Sequence, residues 1–102
     1  MAAEPIPLAP SPVSLDAYGI LRCGDRWIAL TPAERAVMGA LLAAFGDVVA
    51  REELDRRVWP DRAPDPARRA VHVTIHRLRR KLDPFGLRIA TIRAEGFLLH
   101  SA

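Results

Sequence analysis

The run Arg69-Ala70-Val71-His72-Val73-Thr74-Ile75-His76-Arg77-Leu78-Arg79-Arg80-Lys81-Leu82 decides how the rest of this chain is read. At 100° per residue, Val71, Ile75, Leu78 and Leu82 fall in one narrow arc, the i, i+4, i+7, i+11 spacing of a helix anchored to a core. Arg69, Val73, His76, Arg77 and Arg80 fall on the opposite arc, with His72 at its margin. From Ala67 to Leu82 there are six basic residues (Arg68, Arg69, Arg77, Arg79, Arg80, Lys81) and no acidic one. The pattern predicts a helix over 67–82, opened by Asp65-Pro66 as cap and first-turn proline. Asp83-Pro84 and Gly86 close it.

Upstream, Thr31-Pro32-Ala33-Glu34 combines a hydroxyl N-cap, a proline at the first helical position and a glutamate three residues after the cap. A first helix is expected there, with Val37, Leu41, Leu42 and Phe45 inward and Gly46-Asp47 as its stop. Arg51 to Trp59 reads as a shorter second helix, with Leu54 and Val58 inward and Glu52, Asp55 and Arg56 toward water. Pro60 ends it, and 60–66 is a loop. Between Val13 and Leu30, apolar residues broken by Gly19 and by Gly24-Asp25 read as short strands around a turn. Trp27 and Trp59 are expected in the core. Downstream, 87–92 and 97–100 read as two strands joined through Arg93-Ala94-Glu95-Gly96, a hairpin over 87–100 with an arginine near its tip. The order of elements is thus a small β element, three helices and a terminal hairpin, an α+β chain.

The 102 residues suffice for one small domain, 13–102, preceded by a proline-rich tail over 1–12. One cysteine, Cys23, cannot form an internal disulfide and suits a reducing cytoplasm. No apolar run approaches the ~20 residues that span a bilayer, and the prolines of the tail do not suit a secretion signal. The net charge is +3, but residues 1–66 hold 7 basic against 10 acidic residues (−3) and residues 67–102 hold 8 against 2 (+6). Local cation density of this kind suits a polyanion, since phosphate contacts need it.

A helix face carrying arginines, imidazoles and one valine has what a major groove reads. Arginine pairs with guanine O6 and N7, histidine donates or accepts, and valine touches a thymine methyl. Exposed helices that are merely solvated mix signs through i,i+4 pairs, and this one carries a single sign. Arg68, Arg79 and Lys81 on the flanks would meet phosphates, which position the protein without reading sequence. Double-stranded DNA is the expected partner.

These residues resemble a known family. Leu30-Thr31-Pro32-Ala33-Glu34, Val48-Val49-Ala50-Arg51-Glu52-Glu53-Leu54 and Val58-Trp59 are similar to the opening two helices of OmpR/PhoB-type winged helix-turn-helix effector domains of bacterial response regulators. Residues 69–82 resemble that family's recognition helix, and Thr91-Ile92-Arg93-Ala94-Glu95-Gly96-Phe97 its wing. The resemblance implies base contacts for His72, Val73, His76 and Arg77. It implies phosphate contacts for Arg69, Thr74 and Arg80, and a minor-groove contact for Arg93. The loop with Asp61, Arg62 and Asp65 resembles the family's RNA polymerase contact. His72 stands where the family has Asp, Ala50 where it has a capping Ser or Thr, and Ala94 where it has a wing glycine. With about 12 residues before the first strand, no receiver domain is expected, so the chain reads as a stand-alone regulator.

The rival reading is a protein-interaction module acting on RNA polymerase or another DNA-bound regulator, with little sequence-specific DNA binding of its own. Catalysis is not expected, because no nucleophile–base arrangement, glycine-rich phosphate loop or carboxylate pair stands out. His72 and His76, spaced i,i+4, lack the further ligands that a metal site needs, and no cofactor is expected. A nucleoid-associated regulator able to occupy tandem sites as a dimer is the resulting expectation.

Overall fold

In the computed structural model, which describes residues 13–62 and 69–101, three helices are held between two small antiparallel sheets. The tail over 1–12 lies outside the described residues, as do Asp65 and Arg68. Strands β1 (Ser14–Leu15), β2 (Ile20–Cys23) and β3 (Arg26–Ala29) form the first sheet in that order. Gly19, at φ +81°, makes the turn between β1 and β2, where a side chain would be strained. Leu21 pairs with Ile28 on the side facing the core, and Arg22 pairs with Trp27 on the other.

Helix α1 (Pro32–Ala43) starts at the expected capping box. The Glu34 N–H donates to Thr31 Oγ1 at 3.2 Å, and the Thr31 N–H donates to Glu34 Oε1 at 2.8 Å. A cap of this type contributes about 1 kcal/mol. Strand β4 (Val48–Val49) then leads into α2 (Arg51–Val58), whose cap position, Ala50, makes no side-chain cap bond. Helix α3 (Ala70–Leu82) begins after Arg69, which sits at the cap with φ −98° and ψ 5° and is not itself helical, a later start than the expected 67. A 3-10 turn over Asp83–Phe85 and the left-handed Gly86, at φ +69°, end it.

The wing consists of β5 (Leu87–Ile92) and β6 (Gly96–Ser101), with Leu87 opposite Ser101 and Ile92 opposite Gly96. The short β4 adds to the other edge of β6, giving the order β4-β6-β5. This third strand had no sequence signal: two valines before a helix show no alternation, and their partners Phe97 and Leu98 lie near the far end of the chain.

One core joins all the elements. Leu21, Met38 and Leu41 meet Leu54 from α2, Ile75, Leu78 and Leu82 from α3, and Phe97 and Leu99 from the wing. Each such fully buried side chain stabilises by about 1.5–3 kcal/mol relative to exposure. Two expectations are corrected here. Trp27 is 64% exposed rather than buried, because the pleat that turns Ile28 inward turns its neighbour outward. Asp55 is 1% exposed rather than facing water, because α2 packs on both α1 and α3 and so buries a wider arc than Leu54 and Val58 alone require.

Candidate nucleic-acid interface

The packing of α3 sets the geometry of the site. Val71, Thr74, Ile75, Leu78 and Leu82 are buried, which leaves His72, Val73, His76, Arg77 and Arg80 on the opposite, solvent-facing side. Val73 is 45% exposed, an apolar group held in water by the same turn that buries Val71. Among the described residues, the side chains of Arg69, Arg77 and Arg80 make no hydrogen bond or ion pair. No described residue neutralises their charges at short range, and local positive potential of this kind attracts an external anion.

The other flanking cations behave differently. Arg79 donates through Nε to the Ile89 carbonyl at 3.0 Å and through Nη2 to Thr91 Oγ1 at 2.8 Å, tying α3 to β5. Lys81 Nζ lies 2.6 Å from Glu34 Oε1 and donates to the Ala29 carbonyl at 3.1 Å, tying α3 to α1 and the end of β3. Both were expected at phosphates, but their positions on the flanks bring them against neighbouring elements first. Thr74, also expected at a phosphate, is 6% exposed and lies on the core side of the helix. Arg68 lies outside the described residues.

Glu34 is 2% exposed, so its charge is tolerated only because it is paired. Burial pushes its carboxyl up, while the Lys81 ammonium and the Thr31 N–H and hydroxyl outweigh that and hold it below its ordinary 4.5. The pair therefore fixes how α1 and α3 meet and leaves the outward face of α3 untouched.

The wing lies beside this face. His72 meets Phe97 of β6 edge to face, with ring centroids 5.8 Å apart and planes at 72°, a favourable aromatic arrangement. At the tip, Arg93 and Glu95 are exposed, and Ala94 adopts φ +63°, the left-handed conformation that a glycine would take at less cost. Gly96, at φ +150°, has no room for a side chain, since a Cβ there would fall on the Val49 carbonyl. The start of β6, just after the tip, is thus held against β4, while Arg93 in the turn is exposed. Asp61 and Arg62, just after α2, are exposed, and the third residue of that loop expected to meet a partner, Asp65, is not described.

Sequence reasoning missed Arg51. It opens α2, yet it reaches a hollow of about 360 Å³ between α3 and the wing, lined also by His72, Thr91 and Glu95. As one of many arginines at a helix start, it gave no periodic signal.

Comparison with known proteins agrees with this geometry. The family described as "Transcriptional regulatory protein, C terminal" matches residues 24–99. Protein PetR of Rhodobacter capsulatus is 36% identical over 99 residues, covering 90% of this chain and 41% of PetR. Transcriptional regulatory protein MoaR1 of Mycobacterium tuberculosis is 42% identical over 57 residues, covering 56% of this chain and 18% of MoaR1. The chain thus spans less than half the length of these curated relatives. Among solved structures, the C-terminal domain of the nisin resistance regulator NsrR superposes with a TM-score of 0.73 at 31% identity, covering 92% of this chain and 96% of that one. The Klebsiella pneumoniae RstA DNA-binding domain, solved in complex with the RstA box, superposes with a TM-score of 0.71 at 27% identity, covering 86% and 90%. No described helix is long and apolar enough to cross a membrane. Three helices with a β-hairpin beside the third, and a family match over most of the chain, lead to one conclusion: the chain belongs to the OmpR/PhoB-type winged-helix DNA-binding domains of bacterial transcriptional regulatory proteins.

Proposed function

We propose that this domain reads double-stranded DNA by laying the outward face of α3 in the major groove and the wing tip in the adjacent minor groove. The observation that carries this reading is the division of α3 into a buried apolar side and an exposed side of one charge sign whose arginines have no partner among the described residues. His72, Val73, His76 and Arg77 face base edges, with Arg77 suited to guanine and Val73 to a thymine methyl. Arg69 and Arg80 meet phosphates, and Arg93 enters the minor groove, where the negative potential draws a guanidinium. Because His72 stands where the resembled family has Asp, the preferred base opposite it differs from that of typical members. The carboxylate would accept from a cytosine amine, whereas the imidazole both donates and accepts.

Selection of genomic fragments by the purified protein tests this reading. A shared motif that is lost in Arg77→Ala supports it, and retention without a motif, indifferent to that substitution, contradicts it. We further propose that the exposed Asp61 and Arg62 contact RNA polymerase at the promoter, within the nucleoid. Charge reversal at both residues is then expected to change transcription while leaving DNA affinity intact. One domain covers a single half-site, so paired copies on tandem half-sites are the expected high-affinity state, which light scattering with and without DNA checks.

A further inference from the structure

The outward face of α3 meets the wing through a pair of rings. His72 is exposed on that face, Phe97 is 3% exposed near the start of β6, and the edge-to-face geometry already described joins them. Among the described residues the His72 imidazole makes no hydrogen bond, so its nitrogens are left for an external partner and the ring contact orders its plane. Phe97 has little freedom of its own. It pairs with Val49 of β4 on one side and with Thr91 of β5 on the other, and Gly96 before it is closed against the Val49 carbonyl. A ring packed this way keeps one rotamer, whereas an exposed histidine without a neighbour samples several, each presenting its donor and acceptor differently.

We propose that Phe97 is a positioning residue for base selection: by holding the plane of the His72 imidazole, it sets which base edge that imidazole pairs with in the major groove. Phe97 does so from the core, without touching DNA. The wing then acts on the major groove through Phe97 as well as on the minor groove through Arg93. The carboxylates of Glu52 and Glu95 line the same hollow as His72 and would compete for the N–H of an imidazole that nothing held. A carboxylate at position 72, as in the resembled family, has no ring to pair, so the device comes with the histidine. The inference rests on the DNA-binding reading above and deepens it.

The test is a double-mutant cycle on DNA, using the purified protein, its selected motif and duplexes changed at one base pair at a time. His72→Ala identifies the base pair that His72 reads, because discrimination there disappears. Phe97→Leu and Phe97→Met keep an apolar side chain in the core but remove the ring, and thermal melting shows that each is folded at the assay temperature. Both should weaken discrimination at that same base pair by about two- to tenfold, leave the other positions unchanged, and have no such effect when His72 is already alanine. Leu99→Val, in the same strand and fully buried, controls for a loosened wing and should leave every preference intact. A loss of affinity spread over all positions and following the melting midpoint overturns the proposal. So does a Phe97 effect that is undiminished in the His72→Ala background, or a His72→Ala protein whose preferences are all unchanged. If the unsubstituted protein selects no motif, the DNA-binding reading itself fails, a result distinct from a motif that persists with no Phe97 effect.

Discussion

Two sets of basic residues on the same helix have opposite fates. Arg79 and Lys81 reach back to the protein, one to β5 and the other to Glu34, and so serve the packing of α3. Arg77 and Arg80 reach into solvent and meet no described partner. The four lie within five positions, so charge and propensity do not separate them; only the neighbouring elements do. Basic charge on a helix is therefore a poor guide to a nucleic-acid contact until the internal acceptors have been counted.

The sharpest way to break this comparison is to disturb the side of α3 that holds the cations in place. Leu78→Ala removes a fully buried side chain and is expected to cost about 2–5 kcal/mol, read by denaturant unfolding. Lys81→Met should cost less, about 2–3 kcal/mol, because it strands the buried Glu34 carboxylate while Lys81 itself is partly solvated. The same pair predicts a pH dependence. Glu34 is held below 4.5 in the folded state, so its stabilising contribution is full above that value and is lost as pH falls through the lower folded value. Melting from neutral pH into the acid range should accordingly be flatter for Glu34→Gln than for the unsubstituted domain.

Arg77→Ala sharpens the contrast from the other side. Stability should stay within about 0.5 kcal/mol, since the side chain is exposed and unpartnered among described residues, while discrimination for the motif falls by ~1–3 kcal/mol. The smallest effect expected is from Ala94→Gly. Relief of a left-handed alanine is partly offset by glycine's greater backbone entropy, leaving a gain of about 0.5–1 kcal/mol in the melting free energy.

Much of the fold was legible in the chain because its signals are local. Thr31-Pro32-Ala33-Glu34 forms the capping box it spells out, and the 100° arithmetic of 69–82 separates the buried from the exposed residues of α3, with the addition of Thr74 to the buried set. The misses are all tertiary. Residue type alone puts Trp27 in the core, but the pleat places it on the outer side of the first sheet. The apolar face of α2 alone puts Asp55 toward water, whereas packing on both α1 and α3 buries it, and Val48-Val49 forms a strand only because β6 lies alongside. For the candidate interface, the exposed face was legible, whereas the commitments of Arg79 and Lys81 and the buried Nη1 of Arg51 depend on which carbonyls and carboxylates fold next to them.

The central claim is that the exposed face of α3 selects a DNA sequence through its base-reading residues, Arg77 foremost. Binding of purified protein to genomic fragments across a salt series, with sequencing of what is retained and Arg77→Ala alongside, tests it most directly. The account predicts an enriched motif, lost in the variant, with log affinity falling against log salt by about 0.9 for each phosphate contacted. Weak binding without a motif, the same in both proteins, would contradict it.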